Sequence, residues 1–183
     1  FYPTAATLAG YYKYNDKLED PSSSNVDKRD ETLKKFNGEM IKIDRSKLSA
    51  ENQQALNILF DQLDLEFVKL ENTLPWEYNP LFYNDIIINS VHALLTKDFA
   101  PIDTRIKSAT ERVKLIPGLI KRAKNELKTP AQAYTETAIK QMGYIIDFYR
   151  NEVAGLVASA SDANKQLFLA EVSKMIPALE DYR

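Results

Sequence analysis

The sequence predicts an all-α fold, a multi-helix bundle of about seven to eight helices, with antiparallel hairpins around a central apolar helix at about 80–96. Three observations carry that expectation. Apolar residues recur at spacings of three and four along most of the chain, prolines stand where helices begin, and no alternating five-residue strand pattern occurs. The 183 residues read as one helical domain over 1–183, long enough for a substantial core.

The elements follow in order. Residues 3–13 read as a short helix, and the polar run Tyr14 to Asn25 reads as a loop because Asp20-Pro21 and three serines favour turns. Over 26–44, Leu33, Phe36, Met40 and Ile43 form a narrow apolar seam. Ser49 caps the next helix, whose stripe of Leu56, Leu59, Phe60, Leu63, Phe67 and Leu70 is wide enough for two neighbours. A connection at Leu74 to Tyr78 holds the sole tryptophan, Trp76, which is placed to plug the bundle. Asn79-Pro80 then supplies an N-cap and a first-turn proline.

The 80–96 helix is apolar around most of its circumference, as a surrounded element should be. Pro101, Pro117 and Pro130 each read as helix starts, which gives segments of 101–115, 117–128 and 130–158, with Asp98 and Thr129 as caps for the first and last. Ser161-Asp162 starts a final helix that bends near Pro177, and Gly143 permits close approach of a neighbour.

Composition narrows the chemistry. The chain has one histidine, His92, and no cysteine, so it builds neither a multi-imidazole zinc site nor a thiol nucleophile by itself. No Gly-rich phosphate loop, H-E-x-x-H or G-x-S-x-G motif occurs. The formal net charge of −2 gives no global field for nucleic acid or an anionic membrane, and no apolar run approaches a membrane span.

The candidate polar stripe is Asp85, Asn89 and His92, continued by Thr96, at helical spacing on the apolar 80–96 helix. Asp85 and His92 could share a metal with groups from another helix, or Asp85 could orient the imidazole through Asn89. The ordinary reading is a solvated edge or a satisfied hydrogen-bond network. Residues 103–128 carry an excess of five positive charges without interleaved aromatics, which reads as a solvated helix face rather than a nucleic-acid site. Tyr11, Tyr12 and Tyr14 cluster near the start, where burial with the hydroxyl at the rim is the commoner fate and a recognition surface the alternative.

Both ends read as cut, since the chain opens Phe1-Tyr2-Pro3 without an initiator Met and its last apolar pattern runs to Arg183 without a cap. Ordered runs then carry a resemblance. These are Pro3 with Ala6-Thr7 and Gly10, Asp16-Lys17-Leu18-Glu19-Asp20, Trp76-Glu77 with Asn79-Pro80 and Tyr83, and Leu94-Leu95 with Asp98-Phe99-Ala100-Pro101 and Arg105. Further along stand Ile116-Pro117, Ala123 with Asn125 and Leu127, and Tyr134-Thr135-Glu136 with Ala138-Ile139, Gln141 and Gly143. From Pro3 to about Phe148 the chain resembles the N-terminal region of the bacterial domain of unknown function 885 family.

That resemblance implies a longer, mostly helical protein, exported to the periplasm or cell exterior and commonly lipid-anchored. Such proteins are grouped with zincin-like metallopeptidases through a downstream H-E-x-x-P-G-H motif, which this chain lacks. It implies no cofactor within 1–183, zinc in the full-length parent, and a non-catalytic role for this region as a wall of the cleft. The implied partners are the C-terminal region of the same protein and a peptide substrate of the parent, and an exposed apolar patch left uncovered would favour a homodimer. The alternative is a stand-alone helical binding or scaffold module.

Overall fold

Helices account for every regular element of the computed structural model, which describes residues 1–183 and contains no strand. They form two compact units, Pro21–Pro75 and the combination of Phe1–Asp20 with Trp76–Arg183.

In the Pro21–Pro75 unit, α2 (Ser23–Met40) packs on α3 (Ala50–Val68). The turn between them is fixed by short polar side chains: Asp44 accepts from the Ser46 amide at 3.1 Å, and Ser49 caps α3 by accepting from the Asn52 amide at 3.2 Å. Helix α2 starts three residues earlier than the apolar pattern predicts and stops at Met40, before Ile43. Leu56, Leu63 and Leu70, seven residues apart, are the buried line. The expected seam is corrected, because Phe36 and Ile43 are exposed and Leu33 and Met40 half-buried. Leu59 of the α3 stripe is exposed as well. A packed pair of helices supplies one inward line each, so a wide stripe leaves its flanks in water. Arg29 is buried and ion-paired with Glu66 across the two helices. Beyond α3 a widened turn, Lys69–Thr73, ends at Leu74, whose φ of 35° places a leucine in the left-handed region usually given to glycine.

The other unit begins with α1 (Pro3–Leu8) and a tight turn at Tyr12–Tyr14, shorter than the predicted 3–13 helix because Gly10 turns with φ 86°. After α4 (Pro75–Tyr78), which buries Trp76 as predicted, Asn79 accepts from the Leu81 amide at 3.0 Å and starts α5 (Pro80–Thr96). Helix α5 packs on α1, on α6 (Ile102–Glu126), on α7 (Gln132–Asp147) and on α8 (Val153–Leu156), the surrounded position its composition demands.

Helix α6 overturns the predicted break at Pro117. That proline removes one backbone donor at a cost of about 3 kcal/mol. Val113, Ile116, Leu119 and Ile120 around it are buried, and each such side chain contributes roughly 1.5–3 kcal/mol, so packing outweighs the local penalty. The predicted 130–158 helix is instead interrupted by a widened turn at Phe148–Glu152 that carries Tyr149 inward. Thr129 does not cap it, since α7 begins after Ala131 with no side-chain cap. Helix α9 (Asp162–Tyr182) runs through Pro177 and packs on α6 and α7. Gly143 of α7 does not mark the close helix approach expected of it: a Cβ there would meet the end of the Arg183 side chain at 3.5 Å, an ordinary contact.

Candidate functional site

The predicted stripe lies on the open side of α5. Asp85, His92 and Thr96 are exposed and Asn89 is half-buried. Their hydrogen bonds turn back onto their own helix: Asn89 Nδ2 donates to the Asp85 carbonyl at 2.9 Å, and Thr96 Oγ1 donates to the His92 carbonyl at 2.7 Å. Partial desolvation pushes the Asp85 carboxyl above the ordinary aspartate value. No set of three His, Cys, Asp or Glu side chains is placed to hold a metal ion.

The polar chemistry concentrates on α6, in two arginines that the sequence pattern assigned to a solvated face. Arg112 is fully buried, and its guanidinium binds five oxygens. Nε donates to the Lys17 carbonyl at 2.8 Å and Nη1 to the Ser90 carbonyl at 3.1 Å. Nη2 reaches the Pro3 carbonyl at 2.9 Å, Thr7 Oγ1 at 2.8 Å and the Tyr14 carbonyl at 3.2 Å. One cation thereby ties α1, the Tyr12–Tyr14 turn and the following loop to α5 and α6. Burial pulls its pKa down to about 10, against the fields of Glu19 and Asp16, so it stays charged at neutral pH. Glu19, also buried nearby, accepts from the Thr4 amide at 3.0 Å and Thr4 Oγ1 at 2.5 Å near the start of α1, and its other oxygen has no hydrogen-bond partner.

Arg105 does the corresponding work at the C-terminal end of α5. Nε donates to the Ala100 carbonyl at 2.7 Å, and Nη1 reaches the carbonyls of Leu94 at 3.1 Å and Lys97 at 2.7 Å. The cation thus meets the free carbonyls and negative dipole end of that helix. Asp98, predicted as a cap for the next helix, is exposed and pairs with Arg105 Nη2 at 3.3 Å instead. Asp103 reaches Ser161 and Asn164 rather than a surface cation: its Oδ1 accepts from the Ser161 amide at 3.0 Å, Ser161 Oγ at 2.7 Å and Asn164 Nδ2 at 2.7 Å, which holds the start of α9 and keeps its carboxyl below the ordinary range. Tyr149 donates to the Ile87 carbonyl at 2.8 Å and lies 3.0 Å from Ser90 Oγ.

The missed signal was positional. Ile106, Ala109, Val113, Ile116, Ile120 and Ala123 form a helical stripe, and Arg105 and Arg112 fall within its arc, while Lys114, Lys124 and Lys128 pair on the surface with Glu111, Asp181 and Glu77. Tyr11, Tyr12 and Tyr14 correct another expectation, because all three are exposed, with Tyr12 stacked on Phe99 at 3.9 Å between ring centres. Two cavities open in this unit. One, of about 240 Å³, is bordered by Glu19 and the Asp20–Arg122 ion pair at 3.2 Å; the other, of about 150 Å³, lies among α5, α7 and the end of α9.

A family model described as bacterial protein of unknown function, DUF885, matches residues 3–183. The chain belongs to this family. The match continues through α9, past the Phe148 limit of the resemblance seen in short runs. No curated protein matches this DUF885 chain. It is similar to a solved structure described as "a putative lipoprotein of unknown function from Shewanella oneidensis", with a TM-score of 0.87 and 21% identity over 98% of this chain. At that identity the likeness is one of fold. The DUF885 chain spans 33% of the length of that protein.

Proposed function

We propose that residues 1–183 are the non-catalytic N-terminal helical region of a longer exported, zinc-metallopeptidase-like protein, where they form a wall of the cleft. The observation that carries this reading is the whole-chain likeness to one third of a larger protein, together with membership of the DUF885 family. Its residues do not fit a zinc site: the single imidazole, His92, is exposed and no second ligand set converges on it. Zinc in the parent would therefore be held outside 1–183, and the partner of this region would be the rest of the same protein. The similarity to a protein described as a lipoprotein supports a location outside the cytoplasm, and no helix of the structure is long and apolar enough to cross a membrane.

The test is the complete gene and its product. A downstream His-Glu motif, with chelator-sensitive peptide hydrolysis that survives His92→Ala, is the expected result. An open reading frame ending near Arg183, or one continuing without that motif, contradicts the proposal. One observation favours the alternative of a helical binding module: the exposed Tyr11, Tyr12 and Tyr14 offer rigid aromatic area at low entropic cost. Binding activity in a gene product that ends near Arg183 would establish it.

A further inference from the structure

We propose that the cavity of about 150 Å³ among α5, α7 and α9 is a binding site for a small neutral amphiphile: one benzene-sized apolar body bearing a single hydroxyl or amide N–H donor. Volume sets the size class, since cavities of about 150 Å³ hold one benzene-sized molecule. Pro80 of α5 and Ala138, Ile139 and Met142 of α7 supply apolar wall.

The polar requirement comes from two side chains that line the cavity and carry buried atoms without a hydrogen-bond partner, Asn84 Oδ1 and the Tyr182 hydroxyl. Asn84 is 1% exposed. Its Nδ2 donates to the Ala138 carbonyl at 2.9 Å and to Gln141 Oε1 at 3.2 Å. Both partners are acceptors, which fixes the amide orientation and leaves the Asn84 carbonyl oxygen asking for a donor. Tyr182 can accept or donate, and burial pushes its pKa up to about 12, so it is a neutral phenol at physiological pH. Buried polar atoms in folded proteins are overwhelmingly paired, so two unpaired ones bordering one apolar cavity point to a ligand with one polar end. Arg183, the charged side chain of the lining, is exposed and belongs to the rim.

This inference is independent of the peptidase-like reading, because it uses no zinc ligand and no catalytic residue. The experiment is a titration of the full chain with phenol and, separately, benzene, read by amide and methyl chemical shifts. Phenol is expected to give saturable shifts centred on Ala138, Ile139 and Met142, with benzene weaker by about fivefold or more, the worth of one hydrogen bond. Tyr182→Phe should reduce that preference. Ala138→Met, which fills the cavity while leaving Asn84 and Tyr182 in the chain, should abolish binding of both probes while the remaining spectrum is retained. Equal binding of the two probes, shifts that persist in Ala138→Met, or no saturable shift at these residues because ordered water alone satisfies the two atoms would overturn the proposal.

Discussion

The two units differ in what holds their helices together. In Pro21–Pro75 the buried apolar side chains are a single line of leucines, and the Arg29–Glu66 pair links the two helices. In the other unit α5 and α6 are buried along most of their length, and Arg105 and Arg112 bind backbone carbonyls of α5 and of the N-terminal segment. The comparison teaches that a cation placed inside an apolar stripe can organise more chain than one at its edge. Arg29 joins two helices, whereas Arg112 fixes the chain from Pro3 to Lys17 against two more.

The strongest way to break this comparison is Arg112→Met. It keeps apolar bulk but strands five oxygens, and it should cost about 3–5 kcal/mol in urea unfolding. Hydrogen exchange should show protection lost first over residues 1–20. A loss below 1 kcal/mol would mean that the guanidinium is dispensable. Arg105→Ala comes next, at about 2–3 kcal/mol, with fraying of the last turn of α5 read from amide exchange at Leu94 to Lys97.

Asp103→Ala should destabilise less, and in a pH-dependent way. Its folded carboxyl titrates below the unfolded value, so its contribution is present above the ordinary aspartate pKa of about 3.9 and is lost as pH falls through the depressed folded value. The gap in melting temperature between the native chain and the variant should therefore be open at pH 7 and close in strong acid. A gap of constant size from pH 7 to pH 2 would assign the effect to packing.

The smallest effect belongs to the Pro21–Pro75 unit. Phe36→Ser and Leu59→Ser remove exposed side chains and should change stability by no more than about 0.5 kcal/mol. If exposed apolar area here drives self-association, light scattering against concentration should show weaker association in the double variant. Unchanged association would place any dimer contact elsewhere.

Periodicity and caps made the all-α class, the surrounded α5 and the Asn79 and Ser49 caps legible, because each depends on residues close in sequence. What local patterns could not show was decided by distant partners. Pro117 reads as a stop until the burial on both sides of it is known, and Phe36 reads as core until its helix is seen to have one inward line. Arg112 reads as surface charge because its five acceptors come from residues 3–17 and Ser90, all distant from it in sequence. The stripe of Asp85, Asn89 and His92 was legible as a face, but nothing in its spacing showed that its amide and hydroxyl neighbours bond back to their own helix.

Native-state hydrogen exchange across the whole chain tests the central claim most directly. If buried guanidinium anchoring and deep apolar burial set the difference, amides of α5 and α6 should exchange through the highest-energy opening and those of α2 through a lower one. Arg112→Met should then pull α5 and α6 down while leaving α2 unchanged. Equal protection in the three helices, or a loss confined to α2, would contradict the account.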